Sequence, residues 1–228
     1  SVRIIAQMSR PCPHWLCFDL DGTLVDSVPD IAYSVNLMLT QLNCPSVPET
    51  MVRNWIGNGA AKLVERALRH THDSVSDAQL SSAQALFFSA YQDNMAKRSQ
   101  LFPDCLSTLE YFHKQHIALA CVTNKPRQFT QPLLAQMKLD VFFPVLVCGD
   151  DLSAKKPHPA PLLYALEQLA GQPQQGYMIG DSQTDMETAV RAGTGAIYVS
   201  YGYNRGISVD EYQPIVIDEL KQLIQLFG

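Results

Sequence analysis

The chain has 228 residues, of which 46% are apolar and 17% charged. That balance excludes a disordered segment and allows a large buried core. Its 17 Lys and Arg against 22 Asp and Glu leave a formal charge of −5 without basic blocks, which argues against a nucleic-acid binder. No apolar run reaches the roughly 18 residues needed to cross a bilayer.

In chain order, residues 1–13 read as an N-terminal extension with no assigned element; the apolar stretch 2–6 is too short for a secretory core. Apolar runs at 15–18, 117–122, 145–148, 176–179, 196–199 and, more weakly, 215–217 read as strands. Amphipathic stretches through Leu106, Leu109 and Phe112, and through Leu162, Leu163, Leu166 and Leu169, lie between them. This alternation predicts a doubly wound α/β core around a parallel sheet. Between the first two runs the period changes to three and four, through Val28, Ile31, Val35, Met38 and Leu42 behind the capping pattern Ser27-x-x-Asp30. Two more helices are marked by Leu63, Val64, Ala67, Leu68 and by Leu80, Ala83, Phe87, Tyr91. Residues 14–27 and 99–228 are thus expected to form the core, and 28–98 an α-helical domain inserted after the first strand. The six scattered cysteines include no Cys-x-x-Cys pair and point to a reduced, cytoplasmic protein.

In an open parallel sheet, chemistry gathers beyond the carboxyl ends of the strands. Asp19-x-Asp21-Gly22-Thr23 follows the first run, Thr123-Asn124-Lys125 the second, Lys155-Lys156-Pro157 the third, and Asp181-Ser182-x-x-Asp185 the fourth. On an extended backbone Asp19 and Asp21 point the same way. Carboxylates crowded at one rim repel unless a cation sits among them, and hard oxygen ligands suit Mg²⁺. With a hydroxyl and a lysine added, such a rim suits a phosphoryl group.

This ordered set resembles the haloacid dehalogenase (HAD)-like hydrolase superfamily from Trp15 onward. Trp55-Ile56-Gly57-Asn58-Gly59, Val122-Thr123-Asn124-Lys125-Pro126, Lys156-Pro157-His158-Pro159 and Tyr201-Gly202-Tyr203-Asn204 make it most similar to the phosphoglycolate phosphatases. The resemblance implies a Rossmann-like core with a helical cap, and a Mg²⁺-dependent phosphatase acting on a small phosphorylated metabolite. It makes Asp19 the nucleophile that becomes an aspartyl-phosphate, Asp21 the acid–base, Thr123 with the N–H groups of Leu20 and Asn124 the phosphoryl holders, and Lys156 the charge-compensating group. Mg²⁺ would be held by the Asp19 carboxylate, the Asp21 backbone carbonyl and Asp181. Asp185 would both cap the next helix and support the metal site from behind.

Other positions stay open. Gly57, Asn58 and Gly59 read either as a plain loop or as N–H donors to an anionic substrate, the latter fitting a loop between cap and core. Arg53 and Lys62 suit that loop or solvent equally, and Lys125, Arg127 and Arg205 are equally undecided. Lys155, His70 and His72 read as surface groups, His158 as a loop-ordering group, and Phe87, Phe88 and Tyr91 as packing within the helices. Rival activities are the same chemistry on a sugar phosphate or pyrophosphate, a phosphomutase, and a phospho-ligand binder without turnover. A dehalogenase would lack Asp21.

Overall fold

The computed structural model describes residues 10–228. The apolar stretch 2–6, and most of the predicted extension, lie outside the described residues; 10–13 form no regular element, and the Arg10 N–H donates to the Leu226 carbonyl. The elements are β1 (Trp15–Phe18), β2 (Val25–Asp26), α1 (Val28–Gln41), α2 (Glu49–Arg53), α3 (Ala60–Thr71), α4 (Asp77–Asn94) and β3 (Gln100–Leu101). There follow α5 (Cys105–Lys114), β4 (Ala118–Val122), α6 (Arg127–Gln136), β5 (Val145–Val147), α7 (Ala160–Gln168), β6 (Gly176–Gly180), α8 (Gln183–Ala192), β7 (Gly195–Val199), β8 (Ile215–Ile217) and α9 (Gln222–Phe227).

Six parallel strands form one sheet in the order β5-β4-β1-β6-β7-β8, as a doubly wound α/β fold requires. The strand order reverses between β1 and β6, which places the crevice of such a sheet at their carboxyl ends. All four residues of β1 are buried, and its side chains alternate between two cores. Leu16 and Phe18 pack on the face that also holds Leu109, Phe112, Leu133 and Phe227, while Trp15 and Cys17 meet Leu162, Ala165 and Ala189 on the other. A strand buried on both faces reads as a continuous apolar run, which is why this one stood out in the sequence.

The first of these cores continues through Leu24 and Val28 into Ile31, Val35, Leu63, Phe87 and Tyr91 of the helices. Each large side chain fully buried there contributes about 1.5–3 kcal/mol. The chain passes from sheet to helices and back along β2 and β3, which pair antiparallel with Val25 opposite Leu101. The expected Ser27–Asp30 cap is not formed: Ser27 makes no side-chain cap bond, and its Oγ donates to Asp21 at 2.5 Å. Buried Asp30 instead accepts from the backbone N–H groups of Arg98 (3.0 Å) and Ser99 (2.9 Å) and from the Ser99 hydroxyl (2.6 Å). Four orphan donors at a helix start compete for an acceptor, and here the returning strand captures it. Among the described residues no helix is long and apolar enough to cross a membrane.

Candidate active site

Three strand ends meet at the crevice. The Asp19 N–H continues the ladder to the Ile179 carbonyl (2.9 Å), and the Thr123 N–H does the same to Val147 (2.9 Å), so both residues leave their strands at fixed heights. Asp181 follows β6 directly. Lys156 lies in the loop beyond β5 and is brought in by Asn124, whose Oδ1 accepts from the Lys156 N–H (3.0 Å) while its Nδ2 donates to the Lys156 carbonyl (2.9 Å).

Asp19, Asp181 and Asp185 are all buried and offer carboxylate oxygens within 4.8 Å of one another. Lys156 Nζ stands 3.0 Å from Asp19 and 2.7 Å from Asp185. One ammonium cannot balance three carboxylates. Burial, then the Asp185 charge, push the Asp19 carboxyl up to about 7 against the pull of Lys156. Asp181 is driven well above the usual carboxylate range by burial and by its two acidic neighbours. Burial acts to depress the Lys156 pKa, but Asp185 and Asp19 outweigh it and the net direction is up. This excess of hard oxygen donors fits a divalent cation of the Mg²⁺ type. The cluster is also sterically fixed: a Cβ on Gly22 would fall 2.2 Å from Asp181 Oδ2, and one on Gly202 2.2 Å from Asp181 Cβ. Gly22 has φ +86°, a conformation that L side chains rarely adopt. Asp185 has its oxygens committed, Oδ1 to Lys156 and Oδ2 to the N–H groups of Asp181 (3.1 Å) and Ser182 (3.2 Å).

Asp21 shares the cavity with Asp19 but has partners of its own. Among the described residues its carboxylate is not part of the cluster. It accepts instead from Ser27 Oγ and from Lys125 Nζ at 3.1 and 3.2 Å. The chain turns tightly after it: the N–H groups of Thr23, Leu24 and Val25 all turn back to the Leu20 carbonyl. Lys125, undecided in the sequence, is buried and also donates to Tyr91 Oη at 2.7 Å. Tyr91 is therefore more than packing.

A cavity of about 50 Å³ joins these groups; Asp19, Asp21, Thr123 and Lys125 line it from the sheet, Gly59 and Tyr91 from the helices. Gly57 also borders it, and its carbonyl accepts from Asn124 Nδ2 (3.1 Å). Asn58 Nδ2 reaches Thr184 Oγ1 on α8 (3.3 Å). The Leu20 N–H lies close enough to the Asp19 carboxylate to act against the upward shift of its pKa. Arg53 stands over the Tyr203 ring, Lys62 pairs with Glu65, Arg127 pairs with Asp151, and Arg205 is exposed. Lys155, His70, His72 and His158 are exposed too, the His158 ring facing the Ala160 N–H.

The sequence matches the family profile described as haloacid dehalogenase-like hydrolase across residues 16–199. The chain belongs to that family. The hydrolase is 40% identical over 218 residues to the phosphoglycolate phosphatase of Nitrosococcus oceani, covering 95% of this chain and 97% of the relative. It is 43% identical to the phosphoglycolate phosphatase of Pseudomonas putida, over 93% of this chain and 79% of the other. A crystal structure described as a predicted phosphoglycolate phosphatase from Haemophilus somnus superimposes with a TM-score of 0.89 at 34% identity, covering 97% of this chain and 99% of that one. The hydrolase is thus an enzyme of phosphoglycolate phosphatase-like type, a phosphoric monoester hydrolase.

One contact of the hydrolase had no sequence signal. Arg66 on α3 donates to the Trp55 carbonyl (2.6 Å) and to Asn58 Oδ1 (2.7 Å), fixing the Gly57–Gly59 turn from behind. On a helix an arginine eleven residues after Trp55 reads as solvated, and only the fold of that turn gives it a partner.

Proposed function

We propose that this hydrolase is a Mg²⁺-dependent phosphomonoesterase that converts 2-phosphoglycolate to glycolate and phosphate through an aspartyl-phosphate on Asp19. The observation that carries this reading is the three-carboxylate cluster beside Lys156, with Asp21 held separately on the same cavity. The Asp19 carboxylate and Asp181, with the Asp21 backbone carbonyl, would hold the ion; Asp185, already committed to Lys156 and two backbone N–H groups, supports them. The bound ion supplies positive charge against the phosphoryl oxygens.

Asp19 attacks phosphorus, and the Asp19–phosphorus bond forms as the bond to the substrate alkoxide breaks. Asp21 gives its proton to that alkoxide and then removes one from the water that cleaves the aspartyl-phosphate. Thr123, the Leu20 and Asn124 N–H groups and Lys156 hold and neutralise the phosphoryl oxygens meanwhile. Residues 28–98 act as the cap, with the Gly57–Gly59 loop closing the cavity and excluding bulk water. The relatives' printed activity supports the same substrate. The free thiols of all six cysteines suit a reducing cytoplasm.

The test is phosphate release from a panel of small phosphorylated acids, sugars and pyrophosphate, with and without Mg²⁺. Mg²⁺-dependent turnover with the highest kcat/KM for 2-phosphoglycolate is expected. A sugar phosphate preferred tenfold would replace the substrate, and no release at any Mg²⁺ concentration would remove the enzyme reading.

A further inference from the structure

Lys125 is a second buried lysine in a site whose proposed chemistry assigns work only to Lys156. Its side chain is 5% exposed, and an ammonium so far from water is tolerated only when its donors find partners. All three do: Asp21 Oδ1 at 3.2 Å, Asp21 Oδ2 at 3.1 Å and Tyr91 Oη at 2.7 Å. The partners come from opposite sides of the cavity, Asp21 from the loop after β1 and Tyr91 from α4. Tyr91 is itself wedged. Its ring stacks on Phe87 at 5.6 Å and meets the edge of Phe129, on α6, at 4.9 Å. The hydroxyl therefore has one place to be, and the ammonium is pinned between it and the carboxylate.

We propose that Lys125 and Tyr91 are positioning residues for Asp21: helix α4 sets the placement of the acid–base carboxylate through the lysine. This rests on the role of Asp21 proposed above. Ser27 alone contacts only one Asp21 oxygen, so the lysine supplies the two-point hold that fixes the plane of the carboxylate. Among the described residues Asp19 and Lys156 make no such bond to α4. An acid held from the helices and a nucleophile held from the sheet come into register only when the two parts are seated together.

The same lysine lines the cavity, so recognition of the substrate carboxylate is the competing role, and three substrates separate the two. They are 2-phosphoglycolate, ethyl phosphate (an alkoxide leaving group without a carboxylate) and p-nitrophenyl phosphate, whose leaving group needs no proton. Lys125→Met and Tyr91→Phe are measured with all three at saturating Mg²⁺. Lys125→Met is expected to lower kcat on both alkyl esters by about 10²-fold with KM little changed, and to leave the first-turnover burst of p-nitrophenolate within about threefold. Tyr91→Phe, which keeps the ring packing should the lysine variant not fold, is expected to cost about tenfold on the alkyl esters alone, and to cost nothing further in the Lys125→Met background. A rise in KM confined to 2-phosphoglycolate overturns the proposal in favour of carboxylate recognition. An equal loss on all three substrates, burst included, overturns it as general damage. Absence of turnover by the unsubstituted enzyme removes the role of Asp21 and the proposal with it, and is told apart because it precedes any substitution.

Discussion

Lys156 and Lys125 are both buried at the same rim, yet they answer to different parts of the chain. Lys156 takes its acidic partners from the loop after β1 (Asp19) and the first turn of α8 (Asp185), and Asn124 anchors its backbone from the loop after β4. All of these residues lie outside the 28–98 helices. Lys125 divides its bonds between Asp21 and Tyr91, and Tyr91 belongs to α4. The first station takes both its ionic partners from outside the 28–98 helices, although its anchor Asn124 also touches the Gly57 carbonyl, whereas the second takes one of its partners directly from α4. Parallel strands fix their ends by ladder hydrogen bonds, so chemistry that must never drift belongs there; a group that should respond to the helices is better tied across the gap.

The largest expected effect lies in the sheet-borne station. Asp19→Asn would remove the proposed nucleophile and should reduce phosphate release by about 10⁴-fold or more without unfolding the protein, as read by turnover and circular dichroism together. Residual activity above about one per cent would move the nucleophile elsewhere. Next, Lys156→Met removes the ammonium that pairs with Asp19 and Asp185 in the buried cluster and should cost about 3–5 kcal/mol in urea unfolding without Mg²⁺. Lys125→Met should cost less, because Asp21 is 13% exposed and keeps Ser27, whereas Asp185 is 1% exposed. The opposite order would break the contrast. Asp181→Ala should raise the Mg²⁺ requirement by about 100-fold and remove the Mg²⁺-induced rise in Tm. Tyr91→Phe should keep that rise, since its hydroxyl touches only the second station.

The smallest effect concerns the brace between the two lysine loops. Arg127, at the start of α6, donates to Asp151 at 2.7 Å and to the Leu146 carbonyl at 2.9 Å, and Asp150 accepts from the Arg127 N–H. Hydrogen bonds from Arg127 hold the Asp151 carboxyl below its usual range. A depressed folded-state value means that the stability is present above the unfolded value of about 4 and is lost as pH falls through the lower folded one. Asp151→Asn should therefore cost about 1–2 kcal/mol at pH 7, and the gap should close below about pH 4 in pH-dependent urea melts.

Most strands were legible because both faces of the sheet are covered, which leaves apolar runs such as 15–18 and 196–199 without polar interruption. Strand β2 and strand β3 were not, since two residues make no pattern. Helices α2, α6 and α9 also escaped, the first and last being short and α6 carrying Pro132 in its interior. At the site, the order of Asp19, Thr123, Lys156, Asp181 and Asp185 was readable because each follows a strand end. The partners of Asp21 were not, because the tight turn that follows it brings Ser27 to its carboxylate, which spacing along a strand does not reveal. Tyr91 and Lys125 were hidden for a different reason: an aromatic at helical spacing looks like core, and a lysine's flexible stem reveals nothing about its partner. Ser27 and Asp30 misled because a capping pattern is identical in sequence whether or not a better donor arrives from residue 99.

The hydrogens of Gly22 and Gly202 press against Asp181 so closely that no larger atom fits. Its two oxygens are also held, Oδ1 by the Thr23 hydroxyl (3.1 Å) and Oδ2 by the Tyr203 N–H (2.6 Å), so the carboxylate is set in place before any ion arrives. If Asp181 holds Mg²⁺ as proposed, the ion would have to shed water to suit a ligand already in place, so the pace of metal loading would belong to its hydration shell rather than to any swing of the protein.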